Sequence, residues 1–175
     1  GSWWKLQDSS FTGEGEQVLT EELGLNAKTI FRDSVISFES TNDGWYVDVL
    51  SFTTPDLNPV KFQYYVDTSG YVFQGFYTAN GIDRTGLPIA RTFPRNGDTV
   101  YADGRIKRPL VYKVDGDSAI LFAPTNHDNS DVLLFVRRIG LVGRAYSNIS
   151  AKNLVEYRIG NGPVIKKRWT MPAPG

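Results

Sequence analysis

Short stretches rich in Val, Ile, Phe and Tyr recur along the chain, separated by Gly, Asn, Asp and Pro. Stretches of this kind at close spacing are typical of β-strands in an antiparallel meander. The pattern predicts strands at residues 2–7, 35–41, 45–53, 60–67, 71–78, 99–102, 109–114, 118–123 and 132–145, and a last extended segment at 163–170.

Three of the intervening segments are turn signals. They are Asn42-Asp-Gly44, Asp67-Thr-Ser-Gly70 and Asp115-Gly116. Asn, Asp and Gly tolerate the positive φ that tight turns require, so each signal predicts a β-hairpin. Two short helices are also expected, one at 14–23 that ends at Gly24 and one from Ser150 to about residue 159, with Ser150 as its cap and Gly160 as its stop.

Several strands carry apolar residues on both faces. Phe73 and Tyr77 alternate with Val72 and Phe76, and the run at 132–136 is apolar throughout. A sheet with one solvated face would show cleaner alternation. One interpretation is an apolar interior that holds a ligand beneath a covered outer face. The other is a filled core or a two-sheet sandwich.

The two ends of the chain carry a family resemblance. The start, Gly1-Ser-Trp-Trp-Lys-Leu6, and the segment Leu141–Tyr157 resemble the first and last barrel strands of a lipocalin, within the calycin superfamily. The resemblance implies an all-β, up-and-down antiparallel β-barrel with a short helix after the last barrel strand, formed by residues 1–175 as one domain. It also implies that Arg144 packs across Trp3 or Trp4 and closes the barrel, an arrangement that cation–π attraction stabilises.

A second branch of the calycins is also similar to this sequence. The Gly-x-Trp start, with Leu6 after it, and Leu23-Gly-Leu25 resemble fatty-acid-binding proteins, which place two helices early and lack the late one. Arg144 and Tyr146 lie two apart and so face the same side of a strand. They resemble the pair that grips a ligand carboxylate in that branch, which gives Arg144 an alternative role.

The resemblance implies binding, transport or storage of a small hydrophobic ligand, such as a fatty acid, retinoid, carotenoid or bilin. The expected ligand-binding residues are Phe73, Tyr77, Tyr112, Phe122, Arg137, Arg138 and Tyr146. The segment 80–95, which contains two Gly, two Pro and three Arg within a regular meander, is expected to flank the binding site. Its Arg84, Arg91 and Arg95 are candidate contacts for an anionic group, or else solvated charges.

Composition narrows the chemistry further. Nineteen basic and nineteen acidic side chains cancel, so no net charge favours nucleic acid. No Cys is present for a thiol nucleophile or a thiolate metal site, and the one His, His127, lies in a polar turn. We therefore expect no cofactor, no metal and no catalytic residue. Apolar runs reach only four or five residues, so no membrane span is expected.

Two functions of other classes remain open. One is an isomerase or cyclase type of enzyme that acts on a lipid or pigment in a calycin barrel, because such barrels can do chemistry without a sequence signature. The other is a protein-interaction domain with a filled core. A secreted or periplasmic location is favoured, and the sequence leaves the oligomeric state open.

Overall fold

A computed structural model describes residues 1–11, 17–19, 30–53, 58–101, 109–123, 132–146, 150–167 and 169. Within these ranges the secondary structure is β-strand and turn. No helix among them is long and apolar enough to cross a membrane. The strands are β1 (Trp3–Phe11), β2 (Gln17–Leu19), β3 (Ile30–Thr41), β4 (Gly44–Thr53), β5 (Val60–Asp67), β6 (Tyr71–Thr78), β7 (Gly81–Asp83), β8 (Ala90–Arg91), β9 (Thr99–Tyr101), β10 (Pro109–Asp115), β11 (Ser118–Phe122), β12 (Val132–Val136), β13 (Gly140–Tyr146), β14 (Ser150–Arg158) and β15 (Ile165–Lys166).

The strands form one antiparallel sheet in the order β7-β6-β5-β4-β3-β1-β14-β13-β12-β11-β10-β9. Strand β2 pairs with β1, β8 with β6, and β15 with β14. Two meanders are joined at the centre of the sheet, where β1 pairs with β14 and Leu6 lies opposite Leu154. The predicted all-β, up-and-down antiparallel architecture is therefore confirmed.

The three predicted hairpins are present. They are β3–β4, β5–β6 and β10–β11, closed at Asn42-Asp43, at Asp67–Gly70 and at Gly116-Asp117. At the second turn the Asp67 carboxylate accepts hydrogen bonds from the backbone N–H groups of Ser69 and Tyr71. The side-chain chemistry of Asp thus fixes this turn locally, as the sequence pattern indicated.

The predicted helix after Ser150 is wrong, because these residues form β14. The N-terminal half of β14 pairs with β13 and the whole strand pairs with β1. In that position the backbone N–H and C=O groups of the strand bond to neighbours on both sides. A helix there would leave the edges of β1 and β13 unpaired. Of the predicted early helix, residues 17–19 are strand β2, and 14–16 and 20–23 lie outside the described residues. The lipocalin resemblance also implies that the last segment pairs beside the first strand, whereas this segment pairs through β15 with β14.

The long strand predicted at 132–145 is a hairpin of β12 and β13. Arg138 has a φ of 68° and Gly140 a φ of 98°, and a chain that adopts two positive φ angles in three residues cannot continue as a strand. The Ile139 N–H donates to the carbonyl oxygen of Val136 at 3.1 Å and closes the turn.

The sheet is not closed into a barrel. Among the described residues no strand ladder joins the β7 edge to the β9 edge, and both edge strands have three residues. In the part of the chain that the structure describes, one backbone hydrogen bond, from the Tyr101 N–H to the Pro88 carbonyl at 2.8 Å, crosses between the two sides. The segment between β7 and β9 contains two Gly and two Pro and forms only the two-residue strand β8, which pairs with β6, so it does not supply the strand that closure requires.

The described core is divided between two main clusters. One contains Val100, Leu110, Tyr112, Ala119 and Leu121, with Tyr71 of β6 packed against it. The other contains Leu6, Val142 and Leu154, where β1, β13 and β14 meet, and includes the partly buried Trp4 and Trp169. Because Tyr71 touches the cluster at the opposite edge of the strand order, the sheet curls until its two edges approach each other.

Four turns lie at the same end of the sheet. Neighbouring strands run in opposite directions, so alternate turns of each meander share an end. Because β1 and β14 are also antiparallel, the same rule relates the two meanders to each other. It places four turns at one end of the sheet: β3–β4, β5–β6, β10–β11 and β12–β13. The two surface pockets described below both lie at this end.

Candidate ligand-binding groove

An open groove crosses β4, β5 and β6 at the end of the sheet that carries the four turns. Its volume is about 590 Å³, within the range of small-molecule sites. The groove is lined by Asn42, Asp43, Tyr46, Tyr65, Thr68, Phe73, Arg84 and Gly86. We call this set the aromatic groove.

Three aromatic rings form a row in the floor of the groove. Tyr46 lies directly opposite Tyr65, and Tyr65 opposite Phe73, so the three side chains share one face of the sheet. The ring centroids of Tyr46 and Tyr65 are 4.9 Å apart, and those of Tyr65 and Phe73 are 6.0 Å apart, both pairs stacked. Each such pair contributes about 0.5–1.5 kcal/mol beyond its buried area, so the row forms a firm apolar surface.

Arg84 directly follows β7 in the chain, and its side chain lies over one ring of the row. Its guanidinium carbon is 4.9 Å from the Tyr46 ring centroid. Its Nε and one terminal nitrogen donate to the side-chain oxygen of Gln63, at 3.0 and 2.9 Å. Arginine carries five N–H donors, so further donors of Arg84 are available to an acceptor in the groove.

Gln63 holds Arg84 in this orientation. The residue is only 7% exposed, and its side-chain amide nitrogen donates to Asp48 at 3.0 Å. The amide can therefore present only its oxygen to Arg84. A buried glutamine fixed on one side by a carboxylate positions the arginine on its other side without neutralising it.

Asp48 accepts several hydrogen bonds at once. Besides Gln63, the hydroxyls of Tyr77 and Ser37 donate to it at 2.6 and 2.8 Å, and the Lys61 ammonium lies 3.5 Å away. Desolvation by burial would raise the pKa of Asp48. The three hydrogen bonds and the Lys61 charge outweigh it, so the pKa is lower than the ordinary value. Asp48 is thus ionised and fully engaged at neutral pH, which suits a positioning role.

Two predicted site residues belong to this region and a third anchors it. Phe73 and Arg84 line the groove, and Tyr77 contacts Asp48 beside it. Sequence reasoning missed Tyr46, Tyr65 and Gln63. Part of the signal was present, because the β5–β6 turn determines that residue 73 lies opposite residue 65. None of the three predicted turns determines the pairing of residues 46 and 65, which belongs to β4 and β5.

Other predicted ligand-binding residues lie elsewhere. Tyr112 is buried in the first core cluster, and its hydroxyl accepts a hydrogen bond from the Arg91 N–H at 2.9 Å. Burial raises the pKa of Tyr112 to about 12, so it stays protonated. Phe122 lies on β11 opposite Val111.

The structure also separates the arginines that the sequence grouped. Arg91 pairs with Asp98 at 2.9 Å and lies over the Tyr71 ring, so it ties the segment before β9 to β6. The backbone N–H of Arg95 donates to the same Asp98 carboxylate. Neither arginine lines the aromatic groove.

Arg137 and Arg138 line a second pocket, of about 210 Å³, with Asp117. Arg144 lies on β13 opposite Leu133 of β12 and Lys152 of β14. Tyr146 is the last residue of β13, and its side chain lies outside the described residues.

The proposed barrel-closing residues do not come together. Trp4 lies opposite Tyr157 of β14 and Arg144 lies opposite Lys152, a separation of five positions along β14, or about 16 Å. The cation over Trp3 is Arg32, 4.8 Å from the ring centroid.

The described residues contain no group of three His, Cys, Asp or Glu side chains that could hold a metal ion. His127, Asp128 and Asp131 lie outside the described residues. Two acidic residues lie in the groove region. Asp43 is in the β3–β4 turn, and Asp48 accepts a hydrogen bond from Gln63.

Comparisons with known proteins give one structural likeness. No protein-family model and no curated protein sequence matches this chain. Among solved structures, a putative lipoprotein from Parabacteroides distasonis ATCC 8503 is similar, with a TM-score of 0.48 and 12% sequence identity. The match covers 90% of this chain and 95% of the other.

Proposed function

We propose that the protein binds a small amphipathic acid, a molecule with an apolar body and a carboxylate, in the aromatic groove. A fatty acid, a retinoid acid or a bilin has this chemistry. The observation that carries the proposal is the side-by-side placement of the three-ring row and Arg84, which Gln63 holds with donors to spare.

The two halves of the groove suit the two halves of such a ligand. Contact with Tyr65 and Phe73 would remove apolar surface of the ligand from water, which contributes roughly 25 cal/mol per Å². Hydrogen bonds between the Arg84 guanidinium and the carboxylate would each add about 1.5–3 kcal/mol. The acid should therefore bind at least about tenfold more tightly than its alcohol, since tenfold corresponds to about 1.4 kcal/mol.

The site is more open than the enclosed interior cavity that the sequence suggested. The groove is open to solvent and lies on the face that carries Tyr46 and Tyr65. An open site suits reversible binding and hand-over of the ligand. Transport or transient storage therefore fits this geometry better than long-term sequestration.

The experiment is a fluorescence titration with two matched pairs, retinoic acid with retinol and dodecanoic acid with dodecanol. In the wild-type protein each acid should bind more tightly than its alcohol. Arg84→Met keeps much of the apolar stem and removes the charge, so it should abolish the preference for acid while alcohol binding stays the same.

Arg95→Met is the matched control, because Arg95 lies in the same segment but does not line the groove. It should bind all four compounds as the wild type does. Equal affinity of the wild type for acid and alcohol would contradict the proposal. An Arg84→Met protein that still prefers the acids would contradict it equally.

A protein-interaction role is a second candidate, favoured by one observation. Large apolar side chains near the end of the β3–β4 hairpin are exposed: Phe38 at 63%, Ile36 at 49% and Trp45 at 41%. Exposed apolar clusters of this kind often mark interaction surfaces. Phe38→Ser should then leave the titrations above unchanged.

A further inference from the structure

Two hairpin turns lie side by side at the turn end of the sheet, away from the aromatic groove in strand order. The β10–β11 turn contributes Asp117, and the β12–β13 turn contributes Arg137 and Arg138. The Arg137 N–H donates to the Asp117 carbonyl at 2.8 Å, which locks the two turns together. Between them lies a pocket of about 210 Å³ lined by these three residues, here called the hairpin cleft.

The two guanidinium groups of the cleft have no side-chain partner in the part of the chain that the structure describes. Two other arginines of the described residues have a side-chain partner. Arg84 bonds to Gln63 and Arg91 to Asp98. Arg137 and Arg138 are both exposed and retain their donors, so two adjacent cations face one cleft with no assigned structural task.

The backbone at Arg138 is unfavourable for arginine. Its φ of 68° lies in the left-handed region, and every other described residue with positive φ is a glycine. A non-glycine residue in a sparsely populated region costs on the order of 1 kcal/mol, and such positions cluster at functional sites. A glycine at 138 would fit the turn better. The backbone therefore does not explain the arginine at this position, and we attribute it to a role of the side chain.

We propose that the hairpin cleft binds an oxyanion attached to a polyol, a sugar phosphate or a sugar acid. Guanidinium groups match phosphate and carboxylate oxygens through charge-assisted hydrogen bonds. The Asp117 carboxylate is an acceptor only, so it repels a bare anion but accepts from a neighbouring hydroxyl. A cleft of this size holds the charged group and part of one sugar ring and leaves the remainder in solvent.

The proposal is independent of the aromatic groove, which has its own arginine and its own probes. It is tested by calorimetric titration with glucose 6-phosphate, glucuronate, inorganic phosphate and glucose. Saturable binding of glucose 6-phosphate or glucuronate is expected, and the tighter of the two identifies the oxyanion. Glucose should bind weakly or not at all.

Arg138→Gly separates a binding role from a structural one. It should weaken binding of the preferred sugar anion at least about tenfold, which is about 1.4 kcal/mol, while the melting temperature stays the same or rises. Arg137→Gln, at an exposed turn position, should weaken binding without changing the fold. Lys166→Gln, an exposed cation on β15, is the matched control and should bind as the wild type does.

Asp117→Asn tests the polyol. It should strengthen binding of inorganic phosphate and reduce the preference for the sugar anion over phosphate. Absence of saturable binding of both sugar anions would overturn the proposal. Unchanged affinity in Arg138→Gly and Arg137→Gln would also overturn it, as would an inorganic phosphate affinity equal to that for the sugar anions in the wild type.

Discussion

The indole nitrogen of Trp4 donates a hydrogen bond to the carbonyl oxygen of Ile139 at 2.7 Å. This bond joins the first strand to the β12–β13 turn, across 135 positions of sequence. Trp4 also packs against the core cluster of Leu6, Val142 and Leu154. One side chain thus combines apolar packing with a bond that ties the N-terminal strand to a distant hairpin.

Trp4→Phe should destabilise the protein by about 1–3 kcal/mol, because it removes the donor and leaves the partly buried Ile139 carbonyl unsatisfied. The measurement is the free energy of unfolding in urea. Trp3→Phe is the control, since Trp3 contacts Arg32 through its ring face and a Phe ring keeps part of that attraction. A loss in Trp3→Phe equal to or greater than that in Trp4→Phe would contradict the role assigned to this hydrogen bond.

The effects of Trp4→Phe and Arg144→Met should be additive. The two residues lie about 16 Å apart along β14, beyond the range at which side chains couple directly. A double-mutant cycle in urea should give a coupling energy below about 0.5 kcal/mol. A coupling energy of about 1 kcal/mol or more would contradict this separation and would support the contact of Arg144 with Trp4 that the family resemblance implied.

Asp48 should stabilise the protein in a pH-dependent way. Its folded pKa lies below the ordinary value of 3.8, so its contribution is complete above that pH and is lost as the pH falls through the folded pKa. Asp48→Asn does not titrate. The stability difference between wild type and Asp48→Asn should therefore be constant at neutral pH and shrink in acid, as urea unfolding at a series of pH values will show.

Asp33 should show the opposite trend. Desolvation by burial raises its pKa, and this exceeds the lowering by the Ser51 hydrogen bond and the Lys152 charge. The stability that the protonated carboxyl provides is present below pH 3.8 and is lost as the pH rises through the folded pKa. Asp33→Asn should thus gain stability relative to wild type as the pH rises. If the wild type instead gained stability relative to Asp33→Asn as the pH rises, this burial effect would be contradicted.

The strands that depend on local signals were predictable from the sequence. The predicted bounds 60–67 and 71–78 coincide with β5 and β6, because Asp67 and Gly70 determine the turn between them. Ser150 and Gly160 bracket a segment that could begin and end a helix equally well. The segment forms a strand because it pairs with β1 on one side and β13 on the other. Strand β1 lies far away in the sequence, so no local pattern shows this pairing.

The candidate site was predictable only in part, for a similar reason. The β5–β6 turn places Phe73 opposite Tyr65, so this part of the row was predictable. The pairing of Tyr46 with Tyr65 depends on the register of β4 against β5, which no predicted turn determines. The position of Arg84 over Tyr46 depends on how the chain turns after β7. Closure of the sheet likewise depends on how two distant edges meet, which no local pattern encodes.

The most direct test of the central proposal is to locate a bound acid by amide chemical shifts in NMR during titration with dodecanoic acid. Binding in the aromatic groove predicts shifts that saturate together at Asp43, Thr68 and Gly86 and that require a higher concentration of dodecanoic acid to saturate in Arg84→Met. Shifts confined instead to the core strands around Leu121 and Leu154 would place the ligand inside the curled sheet and contradict the account.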